Sequence, residues 1–379
     1  MIIKNIVLIT LSIILSVLLI ELGLWVFKYP PYPETIPDVY LSDKENGFVL
    51  RPNSISRHSS WEFDTTIKIN NLGIRRSNNL TKKSPISIFL LGDSQALGYG
   101  VEEEDTMSFN IEKLMPNSSV INLGVSSYST IQEVILFNRY LEFFEKKPKH
   151  AILVFSVAND FYDNKRITDH YSSTGRSLQT VSKGYLVDDG STIEIHNNEL
   201  ILIKDGMLSS IKKNSIFHPP LGYESKWFGW SKLYNMWAWW NTKVQKSCSL
   251  PIAIPGLWGE RSIENSDEWN ITKSALDSFI LMAQSENVIP HIVIVPTKYQ
   301  LIPDLFLRAG CDLESIDLES SINIIERYSV KNNINVINLF DEFKKLSDSN
   351  IGNLFYEVDG HLTAYGSSIA AEIVAKELK

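Results

Sequence analysis

Residues 90–100 read LLGDSQALGYG, from Leu90 to Gly100. The apolar run ISIFLL, Ile86 to Leu91, stops at Gly92-Asp93-Ser94, and two more glycines follow at Gly98 and Gly100. A short apolar run ended by glycine reads as a buried strand, and Asp or Ser just beyond it reads as the cap of a helix. A strand that turns tightly into a helix sets Ser94 on the carboxyl edge of a sheet. There it is either a cap or a nucleophile, and what the other strands bring to the same edge decides between them.

Four further runs have the same character: VINL at Val120–Leu123, AILVFSV at Ala151–Val157, HIVIV at His291–Val295 and INVINL at Ile334–Leu339. Between the second and third, IQEVILFNRYLEFF carries apolar residues at helical spacing, and SSIAAEIVAKEL closes the chain in the same way. Near-continuous apolar strands alternating with helices predict an α/β three-layer sandwich with a central, mostly parallel sheet. More than 130 residues separate the third strand from the fourth, too many for one crossover, so an insertion is expected there.

In an open parallel sheet the ligand crevice lies beyond the carboxyl ends of the strands. Gly92-Asp93-Ser94 follows the first strand, Asn122-Leu123-Gly124 ends the second, Asn159-Asp160 follows the third, and Asp359-Gly360-His361 precedes the last helix. A serine hydroxyl becomes a nucleophile when a base takes its proton, and His361 is the candidate base. Asp359 can hold the other ring nitrogen and stabilise the imidazolium. The Ser94 N–H, the Gly124 N–H and the Asn159 amide are the candidate oxyanion donors, with Gly124 expected to leave room for the substrate carbonyl.

These residues, in this chain order, resemble the SGNH hydrolases, also called GDSL esterases, over roughly 86–164 and 269–379. The segments GYGVEEEDT after the serine and DGHLTAYG near the end are similar as well. The resemblance implies a flavodoxin-like sheet, Ser94 as nucleophile, Gly124 and Asn159 in the oxyanion hole, His361 as base and no cofactor. Two places depart from the family pattern. Val157 stands where the third block commonly has glycine, and Asp359 and His361 are one residue closer than usual, as in some membrane-linked polysaccharide O-acetyltransferase relatives.

Outside this region the N-terminus differs in kind. Ile6–Phe27 is apolar apart from Glu21, about 22 residues bracketed by Lys4 and Lys28, enough to cross a bilayer as a helix. No small-residue cleavage site follows, so a retained anchor is expected over a cleaved signal, with the domain on the outer face. The Pro-rich YPPYPETIPD, Tyr29–Asp38, suits a stiff spacer, and WEFDTTIKIN up to Asn70 reads as a strand before a turn at Asn71–Gly73. The expected organisation is an anchor at 1–28, a linker and β extension at 29–85, the SGNH-like domain at 86–164 and 262–379, and an insertion at 165–261.

Within the insertion, KGYLVDDGSTIEIHNNELILI has the Asp-Gly turn chemistry of β-hairpins, and Trp227, Trp230, Tyr234, Trp237 and Val244 fall on one side of a helix. That helix suits core packing, a lid beside the site, or a patch against the membrane.

Composition narrows the partners. The chain is 44% apolar and 21% charged with a formal charge of −8 and no dense Lys/Arg block, which argues against nucleic acid. Cys248 and Cys311 either pair in an oxidising compartment or stay as buried thiols, and neither has metal-ligand spacing. Asp160 and Asp163 are expected in a solvated loop rather than on a metal, and Lys298 is expected to be solvated or to attract an anionic substrate. The expected substrate is an acyl ester, with an acetylated glycan favoured over a lipid or thioester. The alternative from another class is a non-catalytic glycan-binding or assembly protein.

Overall fold

The computed structural model describes residues 2–27, 37–43, 46–60, 62–165, 263–308, 317–346, 348–357 and 359–379, with short segments between 180 and 210 and at 231–234 and 236–237. Its centre is a five-stranded parallel sheet: β1 (Ile88–Gly92), β2 (Val120–Asn122), β3 (His150–Ser156), β4 (Ile289–Val295) and β5 (Asn335–Asn338). The strands lie in the order β2-β1-β3-β4-β5, the flavodoxin-like winding. Every residue of β1, β2 and β3 is buried, which is why these strands read as near-continuous apolar runs rather than alternating ones.

Right-handed crossovers place the helices following β1 and β2 on opposite faces. Met107–Leu114 packs with the C-terminal helix Ala364–Glu377 on one side, and Thr130–Phe143 packs with Asp267–Ser285 on the other. Each helix begins on a capping side chain. Ser129 and Gln132 form a reciprocal box at the start of Thr130–Phe143, Ser266 caps Asp267–Ser285, and Thr363 caps Ala364–Glu377.

The extension before β1 is not a separate body. It forms two antiparallel hairpins, Tyr40–Asp43 with Gly47–Leu50 and Ile55–Ser59 with Asp64–Lys68, and Val39, Phe48, Leu50, Ile67 and Ile74 join the same core as the sheet. The strand read from WEFDTTIKIN is narrower than its pattern, spanning Asp64–Lys68.

In the insertion, Thr192–His196, Glu199–Lys204 and Met207–Ser210 make a three-stranded antiparallel sheet. Thr192–His196, just after the Asp-Gly, pairs with the strand that follows it; Tyr185–Leu186, before the Asp-Gly, pairs instead with Thr180–Val181. Cys248, Cys311, Trp227, Trp230, Val244 and most of the Pro-rich spacer lie outside the described residues.

Ile2–Val26 is one helix, and its Lys4–Val26 stretch contains an 18-residue window of mean hydropathy 2.6 and is long and apolar enough to cross a membrane. Its hydroxyls do not disturb this, because Thr10, Ser12 and Ser16 each donate to a carbonyl one turn earlier at 2.9 Å.

Candidate active site

The turn after β1 is built for a close approach. Gly92 has φ +151, and a Cβ there would lie 2.6 Å from Ala96 Cβ and 3.0 Å from the Val154 carbonyl oxygen. Asp93 caps the short helix Ser94–Leu97, accepting the Gln95 N–H at 2.8 Å, so Ser94 is not the cap. Among the described residues nothing bonds the Ser94 N–H. Arg75, buried in the extension, wraps the loop after this helix by donating to the carbonyls of Leu97, Gly98 and Val101.

The loop before the C-terminal helix brings His361 to that turn. Its Nε2 lies 2.7 Å from Ser94 Oγ, across 267 residues of sequence, and its Nδ1 bonds Asp359 Oδ1. Asp359 Oδ1 also accepts the His361 N–H at 2.9 Å. Burial pushes the Asp359 carboxyl up, but the His361 charge and hydrogen bonds outweigh it and hold it at about 2. Burial equally disfavours the imidazolium, yet Asp359 raises His361 above the ordinary histidine value.

Four groups hold this loop, of which only Lys298 is singled out in the sequence, and for a different role. Lys298 Nζ donates to the carbonyls of Glu357 and Asp359, each at 3.1 Å. Glu62, from the extension, accepts the Asp359 N–H at 2.7 Å. The Gln95 side chain accepts the Leu362 N–H at 3.2 Å and donates to the Gly360 carbonyl at 3.4 Å. Tyr99 stacks on the His361 ring with centroids 4.1 Å apart, and the His58 ring meets Tyr99 edge-on at 4.2 Å. Lys298 is therefore neither solvated nor open to an anion. It is 5% exposed and spent on loop carbonyls. Among the others a signal existed only for Gln95 and Tyr99, which sit beside Ser94 in sequence.

The remaining oxyanion candidates are placed differently from expectation. Gly124 donates its N–H to Asn122 Oδ1 at 2.9 Å, while Asn122 Nδ2 donates to the Ala96 carbonyl at 2.9 Å. A Cβ on Gly124 would lie 2.2 Å from Leu97 N and 2.6 Å from Ala96 C. The glycine lets the end of β2 pack against the helix that begins at Ser94 and does not face open space. Asn159 lies just beyond the end of β3, but its Nδ2 donates to Asp163 Oδ2 at 2.9 Å and its Oδ1 accepts from Ser156 at 2.8 Å.

Behind Ser94, Asp160 is 0% exposed rather than in a solvated loop. Its Oδ2 accepts the Ser156 N–H at 2.8 Å, and its backbone follows directly from the buried β3. Glu133 is likewise 0% exposed, with both oxygens unpartnered among the described residues. Burial first, and then mutual repulsion with Asp93, pushes Glu133 and Asp160 well above the usual carboxylate range. No group of His, Cys, Asp and Glu among the described residues is arranged to hold a metal ion.

A carboxyl raised in the folded state adds stability that is complete below its unfolded value near pH 4.5 and is lost as the pH climbs toward the raised value. Glu133→Gln removes that titration. Its melting temperature should match wild type near pH 4.5 and exceed it progressively toward pH 8, by about 3 °C or more. Calorimetry of both proteins across that range checks this, and parallel curves would mean that Glu133 is ionised in the fold.

No family model matches the chain, and no curated protein matches it in sequence. Among solved structures it is similar to a member of the lipolytic protein G-D-S-L family from Veillonella parvula, at 11% identity and a TM-score of 0.38, over 77% of this chain and 97% of that one. It is also similar to a lipase/acylhydrolase from Enterococcus faecalis, at 10% identity and a TM-score of 0.39, over 78% of this chain and 95% of that one. An acetyl xylan esterase matches at 11% identity and a TM-score of 0.40, over 78% of this chain and all of that one (100%). The functional reading is carried by the side chains just described.

Proposed function

We propose that the protein is a serine esterase of the SGNH type, held at a membrane by its N-terminal helix. The observation that carries this is the 2.7 Å contact from Ser94 Oγ to His361 Nε2, with Asp359 on the other ring nitrogen. His361 Nε2 takes the Ser94 proton as the oxygen attacks the acyl carbon, and Nδ1–H keeps its bond to Asp359. The imidazolium then returns the proton to the departing alcohol oxygen, leaving an acyl-serine. Water, deprotonated by the same nitrogen, releases the acid and restores Ser94.

In the intermediate the negative oxygen is met by the Ser94 N–H. Asn159 supplies a second donor by exchanging Asp163 for the substrate oxygen, each donor lowering the barrier by about 3 kcal/mol. Tyr99, Lys298, Glu62 and Gln95 keep the imidazole in line, so little reorganisation accompanies proton transfer. The substrate we favour is an acylated glycan on the outer face of the membrane, supported by the anchor and by the tryptophan-rich insertion. A sugar hydroxyl in place of water would make the same site an O-acyltransferase.

A fluorophosphonate probe tests this without knowledge of the substrate, because it reacts only with an activated hydroxyl. Full-length wild type should label in detergent, Ser94→Ala should not, and His361→Ala should label at a small fraction of the wild-type rate. Equal labelling of all three would favour a non-catalytic binding protein.

A further inference from the structure

Glu21 is the one carboxylate in an otherwise charge-free apolar span, where an unpaired ion would be costly. It is 7% exposed, although the helix around it is almost bare: Leu22 is 59% and Trp25 55% exposed. What covers it comes from the insertion, more than 200 residues away in sequence. Glu21 accepts the Lys232 N–H, the Leu233 N–H at 3.1 Å and the Ser231 hydroxyl at 3.0 Å. The Lys232 ammonium lies 5.5 Å from the centre of the Trp25 ring.

This contact sets a depth. At 1.5 Å per residue, Glu21 lies about 7–8 Å inside the end of a helix that stops at Val26. On the proposed reading of this helix as a membrane anchor, the backbone N–H groups that bond Glu21 directly lie at the same level, near the boundary between headgroups and acyl chains. The residues there suit that boundary. Tyr234 and Trp237 pack at 5.8 Å, Trp237 is 55% exposed, and Lys232 can extend its charge toward headgroups from beside Trp25.

We infer that residues 231–234 and 236–237 belong to a second membrane-contacting element, pinned to the anchor by Glu21 and seated in the lipid interface with Trp25 and Trp237. The partner is the bilayer surface itself, continuous with the span that the anchor occupies. The insertion is thereby tied to the membrane independently of the catalytic chemistry.

The test uses the full chain in phosphatidylcholine–phosphatidylglycerol vesicles. Cys248 and Cys311 are replaced by serine, and Trp237→Cys carries an environment-sensitive NBD label. The label should emit blue-shifted light and be quenched more by nitroxide lipids labelled near the headgroup than by those labelled deep in the chain. In the same background Glu21→Leu should cut that quenching by roughly half or more, because the donors at 231–233 lose their acceptor. Glu21→Gln, which retains one acceptor oxygen at the same reach, should keep most of it.

Cooperative thermal unfolding of each sample reports whether the domain is folded. Water-like emission from the labelled parent, or quenching unchanged in a folded Glu21→Leu protein, would overturn the inference. Neither result depends on whether Ser94 is a nucleophile.

Discussion

Ser94→Ala should lower hydrolysis of p-nitrophenyl acetate by the full-length protein by at least about 10³-fold, with little change in melting temperature. The size follows from what is removed. Without the hydroxyl there is no covalent step, and His361 has no proton to take. Ser94 is 9% exposed and its Oγ meets His361 Nε2 and, at 3.5 Å, Asp93 Oδ2, so the alanine leaves a small gap and no steric conflict. Groups that act on one proton are not additive. His361→Ala should be about as inactive as Ser94→Ala, and the double variant no worse than either.

The pH profile adds a second check, because only neutral imidazole accepts the serine proton. Wild-type activity should rise with pH through a midpoint above the ordinary histidine value, since Asp359 raises His361. A Ser94→Ala protein within tenfold of wild type would remove serine catalysis from consideration.

Gly124→Ala should destabilise the fold by about 3 kcal/mol, the upper part of the range for overpacking, read as a lower melting temperature. The methyl group would sit 2.2 Å from Leu97 N and 2.8 Å from Leu97 Cα, backbone atoms that cannot rotate away as a side-chain tip would. The helix they belong to is fixed at one end by Gly92 and Asp93 and at the other by Arg75, so it has little freedom to retreat. Activity per folded molecule should fall too, because the displaced helix carries Ser94. A variant with unchanged stability and a lost kcat would instead restore the view that this glycine clears space for a substrate carbonyl.

These two residues mark different kinds of legibility. Ser94, Asn159 and the Asp359/His361 pair were readable because each sits at a boundary that local pattern announces, where an apolar run stops or a helix is about to begin. Reading those boundaries also yields the parallel sheet, since burial on both faces makes β1, β2 and β3 apolar but for Asn122, His150 and Ser156 at strand ends. Gly124 was readable as a special position but not for its reason. A chain of letters shows that a side chain is missing, and not which atoms lie where it would have been.

Asp160 and Lys298 were misjudged in the same way. A charged residue in a loop is usually solvated, and only the packing of β3, Thr130–Phe143 and the His361 loop puts these two out of water. The extension is the largest such case. Nothing in the spacing of Glu62 or Arg75 announces that one holds the Asp359 loop and the other the Ser94 loop.

Strand and helix positions, the order of the chemical groups along the chain and the apolar N-terminal span follow from residues near one another, where periodicity and capping act over a few positions. The meeting of Ser94 with His361, the burial of Glu133, the packing under Gly124 and the tie from Glu21 to residues 231–233 join segments far apart in the chain. Their geometry depends on how whole layers settle against one another, because close packing is a property of the assembled core and not of any one stretch within it.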